Sequence, residues 1–427
     1  MIELAREAAK KERALTVGIA DPGSSDIEAE LAELAELLRN LKIIPLEEIV
    51  VNNRETHSRF KIGSGKAEEI AQLAQESEVD YLVFDEPLTP SQQRNWERLA
   101  KCKVIDREEV ILEIFAQRAQ TREAVLQVDL ARAKYYLPRL TGAWTHLSRQ
   151  RGGGVTARGQ GEAQIETDRR LLKNRIRQLE SELVEVRKSR TTQRKSRLRR
   201  PVMQGAIVGY TNVGKSSLLE ALSNKSVAAA DQLFATLDPL ARQITMPGNL
   251  DVVLSDTVGF IRKLPHTLIE AFRSTLEEAL IADFLLLVLD CASSEVDMQW
   301  QTTMEVLSSL GADPGKIQVV FNKIDRIPPE ERPFRFAHLS ELFPEAVFVS
   351  AKSGEGLEKL KHRFAILASK CRRRIAVLLP PERHDLAALA HRCGMVESST
   401  YDEAGNLDML FTIDRKYLHL FDEFVKG

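Results

Sequence analysis

The chain has 427 residues and a formal net charge of −2, with 43% hydrophobic and 29% charged residues. That length exceeds one ordinary core, so two to four domains are expected. The near-neutral balance excludes a generic polyanion binder, and any contact with nucleic acid has to come from charge concentrated locally.

The longest apolar run, Phe284 to Leu289, is strand-sized, far below the roughly 20 residues of a membrane helix. Met1-Ile2-Glu3-Leu4-Ala5-Arg6 carries charge where a signal peptide needs an apolar segment, so a cytoplasmic chain without a membrane span is expected. Cys102, Cys291, Cys371 and Cys393 are scattered, and His384, His391 and Cys393 lack a fourth ligand. Neither a disulfide framework nor a zinc site is indicated.

From residue 13 to 118 strand and helix signals alternate. Ala14 to Ala20, Ile43 to Val51, Tyr81 to Asp85 and Val104 to Asp106 read as strands. Ile27 to Leu41, Lys66 to Gln75, Ser91 to Leu99 and Arg107 to Ala116 read as helices. This alternation predicts a small, mainly parallel α/β subdomain over residues 1–118. Inside it, Gly63-Ser64-Gly65-Lys66 resembles half a phosphate loop, without the first glycine of the full spacing or a hydroxyl after the lysine. A glycine-rich turn and a weak phosphate contact are both open there.

Residues 119–200 predict an antiparallel helical hairpin, its arms marked by Leu126, Leu130, Ala133 and Leu137, and by Ile165, Leu172, Ile176, Leu179, Leu183 and Val186. The connection between the arms, roughly residues 139–162, is long and rich in glycine and arginine: Arg149, Arg151, Gly152, Gly153, Gly154, Arg158, Gly159 and Gly161. Glycine permits close backbone approach to phosphates and arginine adds charge, which suits RNA; a flexible tip is the other reading. A basic linker follows, with eight Lys or Arg and no acid between Arg187 and Arg200.

Residues 201–370 carry the chemistry. Gly209-Tyr210-Thr211-Asn212-Val213-Gly214-Lys215-Ser216 fits G-x-x-x-x-G-K-[ST] between a buried strand and a helix start. Such a loop cradles phosphates with backbone N–H groups at a helix N-terminus. Lys215 is expected on the β- and γ-phosphates and Ser216 on Mg2+. Asp256-Thr257-Val258-Gly259 ends the next apolar strand; Asp256 can hold the metal through water, and the Gly259 N–H can reach the γ-phosphate. Between them, Phe234-Ala235-Thr236-Leu237-Asp238-Pro239 offers Thr236 as a second metal ligand in a switch loop.

The base is read further on. In Asn322-Lys323-Ile324-Asp325 the Asp325 carboxylate can accept hydrogen bonds from guanine N1–H and its 2-amino group, which adenine does not offer. Lys323 can cover the base, and Ser350-Ala351-Lys352 can bring N–H groups to the guanine O6. These motifs in order define a GTPase domain, with GTP or GDP and Mg2+ as cofactors and Lys215, Thr236 and Gly259 as the catalytic set. Position 260, where Ras-type enzymes place the water-orienting glutamine, holds Phe260. Slow unaided hydrolysis follows, with the missing group supplied from elsewhere; neither Arg242 nor Arg262 can be assigned that task. Residues 371–427 predict a small α+β module.

Beyond the nucleotide motifs, several segments resemble the HflX family of ribosome-associated GTPases. They are Ile62 to Lys66, Asp106-Arg107, Ile114 to Ala119, Pro138 to Gly142, the glycine loop, Glu166 to Arg170, Phe234 to Pro239 and Asp256 to Phe260. Gln160 stands where the family's loop usually has proline, and Val155-Thr156-Ala157 alters its middle. The resemblance implies binding of a monomer to the large ribosomal subunit and its rRNA through the hairpin and loop. It also implies ribosome-stimulated hydrolysis and a role in splitting stalled or idle ribosomes or in subunit maturation. An ATP-dependent RNA-remodelling protein using the N-terminal part is the alternative. The fold expected is α/β: a P-loop GTPase domain with a mainly parallel sheet and helices on both faces. A small α/β domain and helical hairpin precede it, and the α+β module follows.

Overall fold

The computed structural model describes residues 12–20, 26–52, 57–140, 157–198, 202–223, 234, 240–246, 250–265, 268 and 280–426. The chain folds as two compact units. The first comprises Met1–Val184 together with Gln232–Leu237 and Arg262–Phe272, and the second comprises Glu185–Asp231, Asp238–Ile261 and Arg273–Gly427.

In the first unit four parallel strands, β1 (Arg13–Ala20), β2 (Ile44–Asn52), β3 (Tyr81–Phe84) and β4 (Lys103–Asp106), form a sheet of order β2-β1-β3-β4. β1 is buried at every position after Arg13, as a central strand covered on both faces requires. Helix α1 (Ile27–Asn40) buries Leu31, Leu34, Leu37 and Leu38 at helical spacing. Helix α2 (Ser64–Glu76) buries Ala67, Ile70, Ala71 and Ala74. Helix α3 (Pro90–Ala100) starts on a capping box in which the Thr89 hydroxyl accepts from Gln92 N–H and the Gln92 side chain accepts from Thr89 N–H, with Pro90 in the first turn. It buries Trp96 against Phe60 and Phe84, with ring centroids at 5.4 and 4.9 Å. Each large apolar side chain so enclosed contributes about 1.5–3 kcal/mol.

Helices α4 (Arg107–Arg118) and α5 (Arg122–Tyr136) close the unit, capped by Asp106 and Thr121. Asp106 also accepts from Tyr135 Oη at 2.9 Å and pairs with Arg139 at 3.2 Å, while Arg107 pairs with Asp85 at 2.5 Å. Burial first, and then the carboxylates of Asp106 and Glu109, push the Tyr135 hydroxyl's pKa far upward, so it stays a donor. The Asp106, Arg107 and Arg139 of the resemblance are therefore architectural.

The connection expected over residues 139–162 is shorter than the sequence suggests. Helix α6 (Ala157–Leu198) begins at Ala157, so Arg158, Gly159 and Gly161 have helical backbone, while Arg149, Arg151 and Gly152 to Gly154 lie outside the described residues. The expected basic linker is also helical as far as Leu198. On α6, Leu179 and Leu183 are buried and Leu172, Ile176 and Val186 half-buried. Among the described residues, the ion pairs Arg122–Glu182, Asp129–Arg175 and Lys134–Glu180 join it to α5.

Two short segments from the middle of the chain complete the first unit. Phe234, 2% exposed, packs its ring 4.6 Å from Phe115. The Lys263 ammonium lies 2.7 Å from Asp85, 2.9 Å from Glu30 and 2.5 Å from Glu86. Both residues hold left-handed φ, +55° and +52°, which strains a side chain larger than glycine. Burial disfavours the Lys263 ammonium, but Asp85 and hydrogen bonds to Asp85, Glu86 and Glu30 outweigh it, and its pKa is raised.

The second unit is built on β5 (Met203–Gly209), the centre of a six-stranded sheet. Around it are α7 (Lys215–Ser223), β6 (Ala241–Met246), β7 (Leu250–Asp256), β8 (Phe284–Asp290), α8 (Val296–Ser309), β9 (Ile317–Asn322), α9 (Arg332–Leu342), β10 (Val347–Phe348) and α10 (Leu357–Cys371). The order is β10-β9-β8-β5-β7-β6, parallel except for β6 against β7. Strands β7 and β6 are added on one side of β5, and β8, β9 and β10 on the other, and this switch in strand order places a ligand crevice at the carboxyl ends of β5 and β8. β8 is buried throughout.

The C-terminal module joins β11 (Arg372–Leu379), α11 (His384–Cys393), β12 (Gly394–Tyr401) and β13 (Leu407–Asp414) in an antiparallel sheet of order β11-β13-β12. Its own core contains Val377, Leu386, Met409, Phe411 and Phe421. Strand β12 has no apolar alternation in sequence. Among the described residues no helix is long and apolar enough to cross a membrane.

Candidate active site

The crevice at the end of β5 is lined by the loop Gly209 to Ser216. Asn212 holds φ +58° and Gly214 φ +88°, and this curl turns successive N–H groups inward at the start of α7. A Cβ at Gly214 would stand 2.4 Å from Asn322 Nδ2, so only glycine lets the loop pass that close to β9.

Lys215 is buried and donates to the carbonyls of Gly209 at 3.2 Å and Tyr210 at 2.6 Å. Burial pushes its pKa down to about 8; Asp256 opposes the shift and Lys323 adds to it. Ser216 Oγ donates to Asp256 Oδ2 at 2.6 Å. The aligned register of β5 and β7, with Ile207 opposite Asp256, brings the two together. Hydroxyl and carboxylate oxygens at one point are the hard donor set that Mg2+ takes, so these residues fit that ion. Thr236, with Ala235, Leu237 and Asp238, lies outside the described residues.

After β7 the backbone of Phe260 ladders onto the loop. Phe260 N–H donates to Gly209 O at 3.1 Å, and Thr211 N–H donates to Phe260 O at 2.7 Å. The Phe260 ring, 1% exposed, joins the apolar core with Val208, Leu287 and Leu289. Gly259 sits between the ladder and Lys215: a Cβ there would lie 2.8 Å from Thr211 Cγ2 and 2.9 Å from Lys215 Nζ. Thr257 Oγ1 donates to Ile207 O at 2.7 Å. Thr211, 4% exposed, has a buried hydroxyl with no hydrogen-bond partner among the described residues. An orphaned hydroxyl of this kind costs about 1–3 kcal/mol.

At the end of β9, Asn322 Nδ2 donates to Val213 O at 2.9 Å, and Asn322 Oδ1 accepts from Ala351 N–H at 3.0 Å. One side chain thus ties the phosphate loop, β9 and the segment after β10. Lys323 donates to Asn212 O and pairs with Asp290 at 2.9 Å. The half-buried Asp325 accepts from Ser350 Oγ at 2.6 Å, which fixes its carboxylate in place. Lys352 is exposed. Asp290 is a participant that motif matching passes over; its signal is the charge that ends the apolar run of β8. Of the two arginines weighed in the sequence, Arg242 lies on β6, and Arg262 belongs to the first unit, 3.9 Å from Asp26. In the first unit Lys66 pairs with Glu69 at 2.7 Å.

A parallel sheet with a phosphate loop at its switch point, a D-x-x-G turn beside it and an N-K-x-D turn tied to both is a P-loop GTPase. The chain matches three family descriptions in order. They are a GTP-binding GTPase N-terminal region over residues 28–116, a GTP-binding GTPase middle region over 118–197 and a 50S ribosome-binding GTPase over 204–323. It is 47% identical over 417 residues to the GTPase HflX of Akkermansia muciniphila, covering 95% of each chain. It is 40% identical over 401 residues to the GTPase HflX of Escherichia coli K12, covering 93% of this chain and 92% of that one. A crystal structure of SsGBP in complex with GDP is 28% identical with a TM-score of 0.49, over 84% of this chain and 99% of that one. The chain belongs to the HflX family of GTPases.

Proposed function

We propose that this GTPase is a ribosome-binding switch. In the GTP form it engages the large ribosomal subunit and rRNA through the segment around residues 149–161 and helix α6, and hydrolysis releases it. Splitting of stalled or idle ribosomes is the work this cycle performs.

The observation that carries the proposal is the concentration of charge. Eight basic residues and no acid lie between Arg187 and Arg200, in a chain of net charge −2, and the helix runs through most of them. A basic run of this kind contacts phosphates without reading sequence. The description of the family matched over residues 204–323, a 50S ribosome-binding GTPase, supports the same partner.

Within the site, the loop N–H groups and Lys215 hold the β- and γ-phosphates, and the Gly259 N–H holds the γ-phosphate. Ser216 and Thr236 would ligate Mg2+ and Asp256 would hold it through water; when bound, the ion would supply positive charge that offsets the negative charge of the phosphates. Asp325, fixed by Ser350, selects guanine, and the Ala351 segment faces its O6.

The test is sedimentation of the protein with ribosomes in GDP or in a non-hydrolysable GTP analogue. Co-migration with the 50S subunit in the analogue alone is expected; co-migration in neither state overturns the proposal. Deleting residues 149–161 is expected to abolish ribosome-stimulated hydrolysis and spare the basal rate.

A further inference from the structure

We infer that Asp290, at the end of β8, is a positioning residue for nucleotide retention: it holds the Lys323 ammonium where that group braces the phosphate loop. The inference rests on the reading made above, in which the loop Gly209 to Ser216 holds the phosphates and the turn Asn322 to Asp325 holds the base.

Asp290 is itself firmly placed. It stands opposite Asn322 in the parallel register of β8 and β9, and the ladder runs on past it, with Cys291 N–H donating to Asn322 O at 2.9 Å. Its own N–H donates to Gln299 Oε1 on α8 at 3.4 Å. The two carboxylate oxygens have separate tasks. Oδ1 accepts from Ala292 N–H at 3.0 Å, and Oδ2 faces Lys323 Nζ at 2.9 Å. The exposed Arg326 is more distant from Oδ2, at 4.0 Å. Asp290 is 8% exposed, and a carboxylate so enclosed is costly unless a cation meets it.

Lys323 is the residue so met, and its other bond leads to the phosphate loop. Its Nζ donates to Asn212 O while the neighbouring Asn322 Nδ2 donates to Val213 O at 2.9 Å. Two successive residues at the end of β9 thus hold two successive carbonyls of the loop. The approach is close: a Cβ on Gly214 would meet Asn322 Nδ2 at 2.4 Å and Lys323 Cε at 4.0 Å. Both Lys323 and Asn212 hold left-handed φ, +64° and +58°, which a residue with a Cβ keeps only where its surroundings fix it. A neutral asparagine side chain needs no counter-charge to make its half of the brace. The lysine does, and Asp290 supplies it.

A nucleotide spans the loop and the base turn, so it is retained only while the two keep their spacing. Asp290 touches neither phosphate nor base in this scheme; it acts through Lys323. GDP and GTP share the parts of the site that the brace holds, so both should be affected alike.

The test is the rate of nucleotide release from the full chain, in a cycle of Asp290→Asn, Lys323→Met and the double variant. Asparagine keeps the shape and the oxygen that caps Ala292, and methionine keeps most of the stem, so each removes chiefly the charge. GDP and a non-hydrolysable GTP analogue should each leave about tenfold faster from Asp290→Asn. With GTP as substrate the loss should fall on KM rather than on kcat. The double variant should release GDP no more than about twofold faster than the faster single variant. The inference is overturned if Asp290→Asn releases GDP at the original rate, if the two single effects multiply in the double variant, or if the loss is confined to the GTP analogue. Asp325→Asn, measured in parallel, tests the underlying reading: unchanged GDP release there would show that the base lies elsewhere, whatever Asp290 does.

Discussion

Lys215 shows what one buried ammonium implies for the pH behaviour of the site. With its pKa pushed down to about 8, the side chain is charged at neutral pH and loses its proton in mildly alkaline solution. A bound triphosphate favours the ammonium, so above pH 8 binding must first take up a proton. GTP affinity is therefore expected to be level below pH 8 and to weaken above it, by up to about tenfold per pH unit. Calorimetry in two buffers of different ionisation enthalpy should show proton uptake at pH 9 and little at pH 7. The candidate site is read in the chain from local spacing, because a phosphate loop, a D-x-x-G and an N-K-x-D turn each need particular residues at fixed positions. What bridges them is not. Asn322 reaching Val213, and Lys323 reaching Asp290, depend on which strands become neighbours in the sheet.

Among the secondary-structure elements, the departures from expectation have local causes. The run from Arg187 to Leu198 looks like a solvated linker by charge, yet Arg, Lys, Gln and Leu are good helix formers, and a helix already under way propagates at little further cost. Gly159 and Gly161 mark a loop by propensity but sit in the first turns of α6, where one or two glycines are tolerated. β12 carries Glu397, Ser398 and Ser399 on an exposed edge, so no apolar alternation could announce it. Hardest to see were Phe234 and Lys263, whose partners Phe115, Glu30, Asp85 and Glu86 are more than a hundred residues away. Phe234→Ala is expected to destabilise the first unit by about 3 kcal/mol, and Lys263→Ala by about 1–3 kcal/mol, because it leaves three carboxylates sharing less positive charge. Urea unfolding followed by tryptophan fluorescence, with Trp144 and Trp300 replaced by Phe so that Trp96 alone reports, measures both. The raised pKa of Lys263 gives stability that is complete below its unfolded value of 10.5 and is lost only as pH climbs through the higher folded value. The Lys263→Ala deficit should accordingly be constant from pH 6 to pH 10.

At the scale of the whole molecule, the two left-handed anchors have a thermodynamic consequence. Phe234 stands two residues before Thr236 in the chain and Lys263 four residues after Gly259, so each anchor in the first unit is close in sequence to a residue expected at the γ-phosphate or metal. Such a tether closes a thermodynamic cycle. If exchanging GDP for GTP strains or relaxes the anchors by some free energy, loosening the anchors must change the ratio of GTP to GDP affinity by the same amount. Lys263→Ala should therefore shift that ratio, and hydrogen exchange at the amides around Asp85 and Phe115 should differ between the two nucleotide states by the matching factor. An unchanged ratio together with unchanged exchange would mean the tethers carry no information.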